Sequence, residues 1–509
     1  MLFNSYVFIF LFLPITLYIF YFIGKIGHHR VAISWLVLSS LFFYAWWNPA
    51  YLYLLLFSML FNYGCGVALA SKGKQQYRKI TLIVGISLNI LLLGYFKYAN
   101  FFVGQINSIV GTSFHLETII LPLAISFFTF QQISYLVDAY RHETQEYSFL
   151  HYCLFVTFFP QLIAGPIVHH KEMLPQFSQN KIYLVNPKYL SIGLLIFITG
   201  LFKKVIIADN LALYANPVFN SNNIDSLTFV SAWVGSLSYT FQLYFDFSGY
   251  TDMAIGIAYM FGIKLPINFN SPYKATSIIE FWRRWHITLS RFLRDYIYIA
   301  LGGNRKGNLR RYVNLFTTML IGGIWHGAGW TFIIWGVLHG TYLVINHAWL
   351  YLRNSILKWQ KSPSFIEVSI AFIITFLAVV IGWVYFRAES ISTANSILSV
   401  MFGANGITVP PFFEPYLRDI NQSLNIFHFN GIFGNLWHKL NSSIGWIIAA
   451  ALIAFFAPNS IQILRFAESY NLVKSKSFVT YSIAISLAII FVCIVGNLMK
   501  VSDFLYFNF

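Results

Sequence analysis

The chain has 509 residues, of which 58% are hydrophobic, 19% aromatic and only 10% charged, with 33 Lys and Arg against 17 Asp and Glu for a formal net charge of +16. Soluble domains carry roughly 25% charged residues, so this composition excludes an ordinary soluble enzyme and indicates a membrane protein. In a soluble chain the basic excess would suggest nucleic acid; here it is the Lys and Arg surplus of loops facing the cytoplasm, next to membrane lipids, and no nucleic-acid partner is implied.

The first apolar run, SYVFIFLFLPITLYIFYFIG, lacks a basic leader and a small-residue cleavage site. It reads as a first span rather than a signal peptide. Two basic clusters follow, KIGHHR (25–30) and SKGKQQYRK (71–79), separated by two apolar runs with an uncharged link. An even number of crossings puts both clusters on one side, which the charge rule makes cytoplasmic and which leaves the N-terminus outside. Further apolar runs of bilayer length occur at 80–96, 365–386 and 477–499. The expected total is roughly ten to twelve spans. Residues 1–110 are plain spans, 120–350 carry the unusual polar residues, and 355–509 return to plain spans around a Pro- and Asn/Gly-containing connection at 404–443. That connection is expected to be a loop with short interfacial helices. Cys65, Cys153 and Cys493 are scattered through apolar sequence, give neither a disulfide framework nor a metal motif, and read as small buried hydrophobes.

Ionisable residues inside apolar segments mark candidate sites, because a bilayer makes them costly. FQLYFDFSGYTDMAIGIAYMFG (241–262) holds Asp246 and Asp252. Six residues at about 100° each set them roughly 240° apart on a helix, so they do not form a carboxylate pair. Each is expected to hold the bundle together by bonding an Arg, a Lys or a helix N-terminus, and the Ser-Gly between them is a candidate kink. IIEFWRRWHITLSRFLRDYIYIAL (278–301), treated as one helix, gathers Arg283, Arg284, Arg291 and Arg294 on one face with aromatic residues opposite. It reads as an interfacial amphipathic helix whose basic face suits lipid headgroups or a phosphate-rich ligand. His286 falls just off the basic edge at about 300°. Arg305, Lys306, Arg310 and Arg311 continue the basic patch in GGNRKGNLRR, and then no charged residue occurs from 312 to 352, although His326, His339 and His347 do. His326 lies between Gly323 and Gly327/Gly329, where backbone can approach closely or a helix can open. A neutral imidazole there is the natural general base near neutral pH. His339, thirteen residues on and about 220° around an ideal helix, need not share that site and reads as packed or supporting.

Three blocks, YFDFSGYTDMAIG, NFNSPYKATSIIEFWRRWHITLSRFLRDYIYIALGGNRKG and GGIWHGAGWTFIIWGVLHG, resemble the membrane-bound O-acyltransferases, and among them the alginate O-acetyltransferase AlgI branch. LPLAISFFTFQQISYLVD and FFPQLIAGPI are similar to the same family's upstream blocks. The resemblance implies an all-α polytopic fold, one transmembrane domain over 1–509 built around a central tunnel with interfacial helices. It implies His326 as the functional histidine and His286 as a second position associated with function. Arg283, Arg284, Arg291 and Arg294 would hold the donor, with Asp246, Asp252, Asp295, Trp325 and His339 in support. It further implies no bound cofactor or metal, and acetyl-CoA as a cytoplasmic acyl-donor substrate. The acetyl group would pass through a bacterial inner membrane to a periplasmic or membrane-anchored acetyltransferase partner that modifies an exported polysaccharide such as alginate. The rivals are D-alanyl transfer to a cell-wall polymer and, in a different class, a transporter or flippase of an acylated or lipid-linked sugar. Intramembrane His and Asp would also suit a transporter, but no internal repeat is evident.

Overall fold

The computed structural model describes residues 1–71, 73–143, 148–221, 227–359, 362–408, 414–424, 426–428, 433–469, 478–498 and 505. In chain order the first helices are α1 (Leu13–Lys25, entered through a π-helical turn at Phe8–Phe12), α2 (His29–Ala45), α3 (Ala50–Ala70), α4 (Gln75–Val110), α5 (Ile125–Tyr140), α6 (Phe149–Thr157), α7 (Phe159–Leu162), α8 (His170–Phe177) and α9 (Pro187–Leu201). The next are α10 (Asp209–Phe219), α11 (Phe229–Met260), α12 (Ile278–Arg284), α13 (Ile287–Phe292), α14 (Gly307–His326), α15 (Trp330–Tyr351), α16 (Phe365–Arg387) and α17 (Ile391–Met401). The last are α18 (Glu414–Leu424), α19 (Phe433–Phe456), α20 (Ser460–Ser469) and α21 (Phe478–Asn497). β structure among the described residues is limited to two two-residue strands, β1 (Ile407–Thr408) and β2 (Phe427–His428), paired in parallel. The fold is all-α and membrane-embedded, as composition and hydropathy required.

The plain spans form where expected. The runs at 80–96 and 365–386 lie in α4 and α16, and α21 covers residues 478–497 of the third run. The 36 residues of α4 rise about 54 Å at 1.5 Å per residue, so the helix continues well past a hydrocarbon core of roughly 30 Å. α16 starts with a capping box in which Ser364 and Glu367 satisfy one another's backbone N–H groups. Among the described residues, five helices are long and apolar enough to cross a bilayer, six if the pair bent by 51° before Ser460 counts as one. Shorter apolar helices, His29–Ala45 among them, are not in that count, and α11 and α14 carry buried polar residues along their length. Among its described residues, the 404–443 connection contains β1, the short helix α18, β2 and the first turns of α19.

The chain divides into two compact units. The first comprises 1–202, 248–268 and 460–508, and its helices approach through glycine. A Cβ on Gly200 would stand 2.5 Å from the carbonyl oxygen of Gly249, and one on Gly256 2.6 Å from that of Gly193. Gly249 therefore serves a close helix crossing, and the 32 residues of α11 continue as helix past it. In this unit Asp252 accepts a hydrogen bond from Ser460 Oγ at 2.5 Å, Ser460 being the first residue of α20. His170 and Asp138, both buried, stand 3.4 Å apart.

The second unit comprises 203–247 and 269–459. Its centre is an antiparallel hairpin of α14 and α15, with α16 packed on α15. Glycine again decides the spacing. A Cβ on Gly323 would meet the Phe332 carbonyl at 2.5 Å and Gly336 Cα at 2.9 Å, and one on Gly336 would meet the Met319 carbonyl at 2.8 Å. Asp246 does find its base here: Lys204 Nζ lies 2.6 Å from Asp246 and 2.9 Å from Asp209, with Lys204 and Asp246 buried. Lys204, in the apolar run GLFKKVIIADN, escaped the sequence reading, although a lysine inside a span is itself a signal.

Candidate active site

His326 is the last residue of α14. Gly327 to Gly329 are extended or non-helical, and the chain turns back as α15. A Cβ on Gly327 would fall 2.2 Å from the Phe332 ring, so only glycine lets the turn close this tightly. His326 is buried, with the rings of Trp325 at 4.9 Å, Trp335 at 4.9 Å and Phe386 at 5.0 Å around it.

His339 is on the same site after all. The 220° separation assumed one continuous helix, and the break after His326 removes that assumption. Folding α15 back along α14 inserts Trp335 between the two histidines, with ring centres 4.9 Å from His326 and 4.8 Å from His339. Trp282 Nε1–H donates to His339 Nδ1 at 3.3 Å, which assigns the neutral ring's proton to Nε2. Nε2 faces Gly382 on α16, where a Cβ would be 2.8 Å away. His339 therefore fixes the wall behind Trp335, in keeping with a packed or supporting residue.

The amphipathic helix expected over 278–301 does not form. α12 ends at Arg284, Trp285 is extended, His286 takes the left-handed conformation (φ 42°, ψ 54°), and α13 and a π-helical turn at Leu293–Tyr298 follow. A break of this kind resets the angular phase, so neither the single arginine face nor the 300° position of His286 survives. His286 is fully buried and packs edge-on against Phe247 at 4.8 Å. Its aromatic wall differs from that of His326.

The arginines separate accordingly. Arg284 pairs with Glu280 at 2.7 Å and donates to the Asn270 carbonyl at 3.3 Å. Arg294 is held by Asp295 through bonds of 2.7 and 3.1 Å. Arg283 and Arg294 line a cavity of ≈ 280 Å³, which Arg291 does not. Arg311 and His347, joined at 2.8 Å, complete its basic rim, and Trp282, Leu293, Met319 and Leu343 form its apolar body. The pairing of Arg311 with His347, 36 residues apart, follows from the α14–α15 hairpin and had no local signal. Arg311 lies 15 residues before His326 on α14, about 22 Å along the helix. Among the described residues, no three His, Cys, Asp or Glu side chains converge as a metal ion would require.

The family model for the membrane-bound O-acyltransferases matches residues 43–386, and the chain belongs to that family. It is an acyltransferase of the O-acetyltransferase type. The chain is 43% identical to the peptidoglycan O-acetyltransferase of Helicobacter pylori, over 100% of this chain and 98% of that protein. It is 44% identical to a probable alginate O-acetylase AlgI of Pseudomonas aeruginosa, over 79% of this chain and 75% of that protein. A teichoic acid D-alanyltransferase of Bacillus subtilis is 31% identical over 52% of this chain and 69% of its own length.

Proposed function

We propose that the protein takes acetyl from cytoplasmic acetyl-CoA and passes it across a bacterial inner membrane for O-acetylation of an exported polysaccharide, through a periplasmic or membrane-anchored partner. The observation that carries this reading is the alignment of His326 with the basic cavity along α14. Phosphates seated at Arg283, Arg294 and Arg311 would leave the arm of the donor about 22 Å in which to reach the histidine. Arg284 supports that rim through Glu280, and Arg291 stands outside it.

In the proposed step, a ring nitrogen of His326 removes the proton of the attacking hydroxyl. The oxygen adds to the acetyl carbonyl carbon, the carbon–sulfur bond breaks, and the departing thiolate takes the proton back from the imidazolium. Burial among Trp325, Trp335 and Phe386 keeps water from competing for the acyl group. His286 positions the segment joining the cavity to the histidine. Asp246 and Asp252 brace α11 through Lys204 and Ser460.

The test is CoA release from acetyl-CoA by the purified full chain in proteoliposomes. His326→Ala, verified as folded, should lose about 10²- to 10⁴-fold in rate. An unchanged rate removes the catalytic assignment. The similarity to D-alanyltransferases supports a second reading, aminoacyl transfer from a carrier. In that case acetyl-CoA would give no release, whereas a carrier loaded with D-alanine would be discharged.

A further inference from the structure

The three arginines of the cavity are not equivalent in charge. Arg294 is bound by Asp295 through bonds of 2.7 and 3.1 Å, so its charge is answered before any ligand arrives. Arg283 and Arg311 line the same ≈ 280 Å³ cavity, and among the described residues neither has a carboxylate within ion-pair distance. Arg311 is nevertheless held. Its Nη2 lies 2.8 Å from His347 Nδ1 and 3.4 Å from His347 Nε2. A guanidinium only donates, and an imidazolium there would set two like charges in contact, so the ring in this pair is a neutral acceptor.

Three helices fix the arrangement. The hairpin of α14 and α15 brings residues 311 and 347 together, and α12 packs on α15. Ile279 N–H, on α12, donates to Asn346 Oδ1 at 3.4 Å, one residue before His347. Arg283 follows Ile279 by about one helical turn, and both line the cavity. The face of α12 that is tied to α15 is therefore the face that presents Arg283. Two cations reach one space from two helices, and a third helix supplies the imidazole that holds one of them.

We propose that His347 is a positioning residue for the donor: it holds Arg311 in the cavity without cancelling its charge, and so leaves Arg283 and Arg311 as two uncompensated cations for the donor's diphosphate. This rests on the acetyl-transfer reading and names the part of the donor that the cavity recognises. An unrestrained arginine loses rotamer freedom when a ligand arrives. A carboxylate tether would remove that loss but would also cancel the charge, as Asp295 does for Arg294. A neutral imidazole restrains the side chain and keeps the charge. The ligand class follows from the count, because a diphosphate diester carries one negative charge on each phosphate and guanidinium groups bond phosphate oxygens in pairs.

The experiment compares His347→Gln, which keeps an uncharged acceptor, with His347→Glu, which supplies a counter-charge, both as full chains in proteoliposomes beside the parent. The KM for acetyl-CoA should be about tenfold higher in His347→Glu than in His347→Gln, the scale of one lost charge-assisted bond, with kcat equal in the two. ADP is a diphosphate without a thioester. It should raise the unfolding temperature of the parent and of His347→Gln, and not that of His347→Glu. Without ligand, His347→Glu should unfold no lower than His347→Gln, because Arg311 gains an ion pair. Equal KM in the two variants, a kcat that falls as far as KM rises, a clearly lower unfolding temperature for His347→Glu, or a parent insensitive to ADP overturns the proposal. A parent stabilised by vesicles rich in phosphatidylglycerol and not by ADP assigns the cavity to lipid headgroups, and overturns it too. A parent that releases no CoA, yet is stabilised by ADP as His347→Gln is and His347→Glu is not, overturns acetyl transfer and leaves the diphosphate site standing.

Discussion

At the scale of single residues, the proposed chemistry rests on how two imidazoles are enclosed. His326 has three aromatic rings within about 5 Å, and His339 sits one ring further back, bonded to Trp282. Replacing Trp282 by Phe keeps the ring and removes the donor. It leaves a buried nitrogen acceptor unpaired, which should cost about 1–3 kcal/mol. Denaturant unfolding in detergent measures this, and an unchanged midpoint would show that the 3.3 Å bond contributes nothing. His326→Ala should act differently, on rate far more than on stability. Both histidines were legible in the sequence as imidazoles in a charge-free stretch, and the glycines around His326 marked it as the more unusual. Their common contact with Trp335 was not legible, because it depends on where the helix ends. Nor was the fate of the arginines. Four residues of one type in one segment look equivalent, yet Arg284 answers a local Glu280 whereas Arg283 faces the cavity.

At the scale of elements, two interruptions shape the site. The first is the left-handed His286 between α12 and α13. A non-glycine residue held in this region stores about 1–3 kcal/mol of strain unless its side chain bonds locally. Asn tolerates that conformation and a β-branched residue does not. His286→Asn should therefore fold and report the loss of the imidazole, whereas His286→Val should be the less stable of the two in thermal unfolding. Equal stability would argue that the backbone there relaxes freely. The second interruption is the glycine turn after His326, with its seam along the hairpin. Gly323→Ala places a methyl within 3 Å of backbone on α15 and should cost about 1–3 kcal/mol, with activity falling as His326 shifts. Gly94→Ala on α4 meets nothing within 4 Å and should stabilise by up to about 1 kcal/mol. Parallel melting curves decide the pair, and equal shifts would contradict the seam.

At the scale of the whole molecule, donor recognition and sidedness should follow the cavity. Arg311→Ala is expected to raise the KM for acetyl-CoA by about tenfold and to weaken its salt dependence, and Arg291→Ala to have a much smaller effect. Equal effects from the two would restore the single arginine face. The charge rule also places Ser71 and Asn304 on the cytoplasmic side. Cysteines introduced there should react with an impermeant thiol reagent only in inverted vesicles, and labelling of either in intact cells would reverse the orientation.

By itself, the sequence determined the class of protein, the positions of the plain spans and the family blocks, and it singled out the histidine proposed for catalysis. Those properties are written in composition, in runs of apolar residues and in short motifs, all of them local along the chain. Only the tertiary structure decided that residues 278–301 are broken at His286, that α11 continues as helix past Ser248 and Gly249, that His339 packs on the Trp335 ring that also meets His326, and that Arg311 pairs with His347 across the α14–α15 hairpin. A helical wheel carries phase only while the helix lasts. One extended residue, or one turn built on glycine, resets it, and the partner across a hairpin is set by packing between segments that no local pattern records.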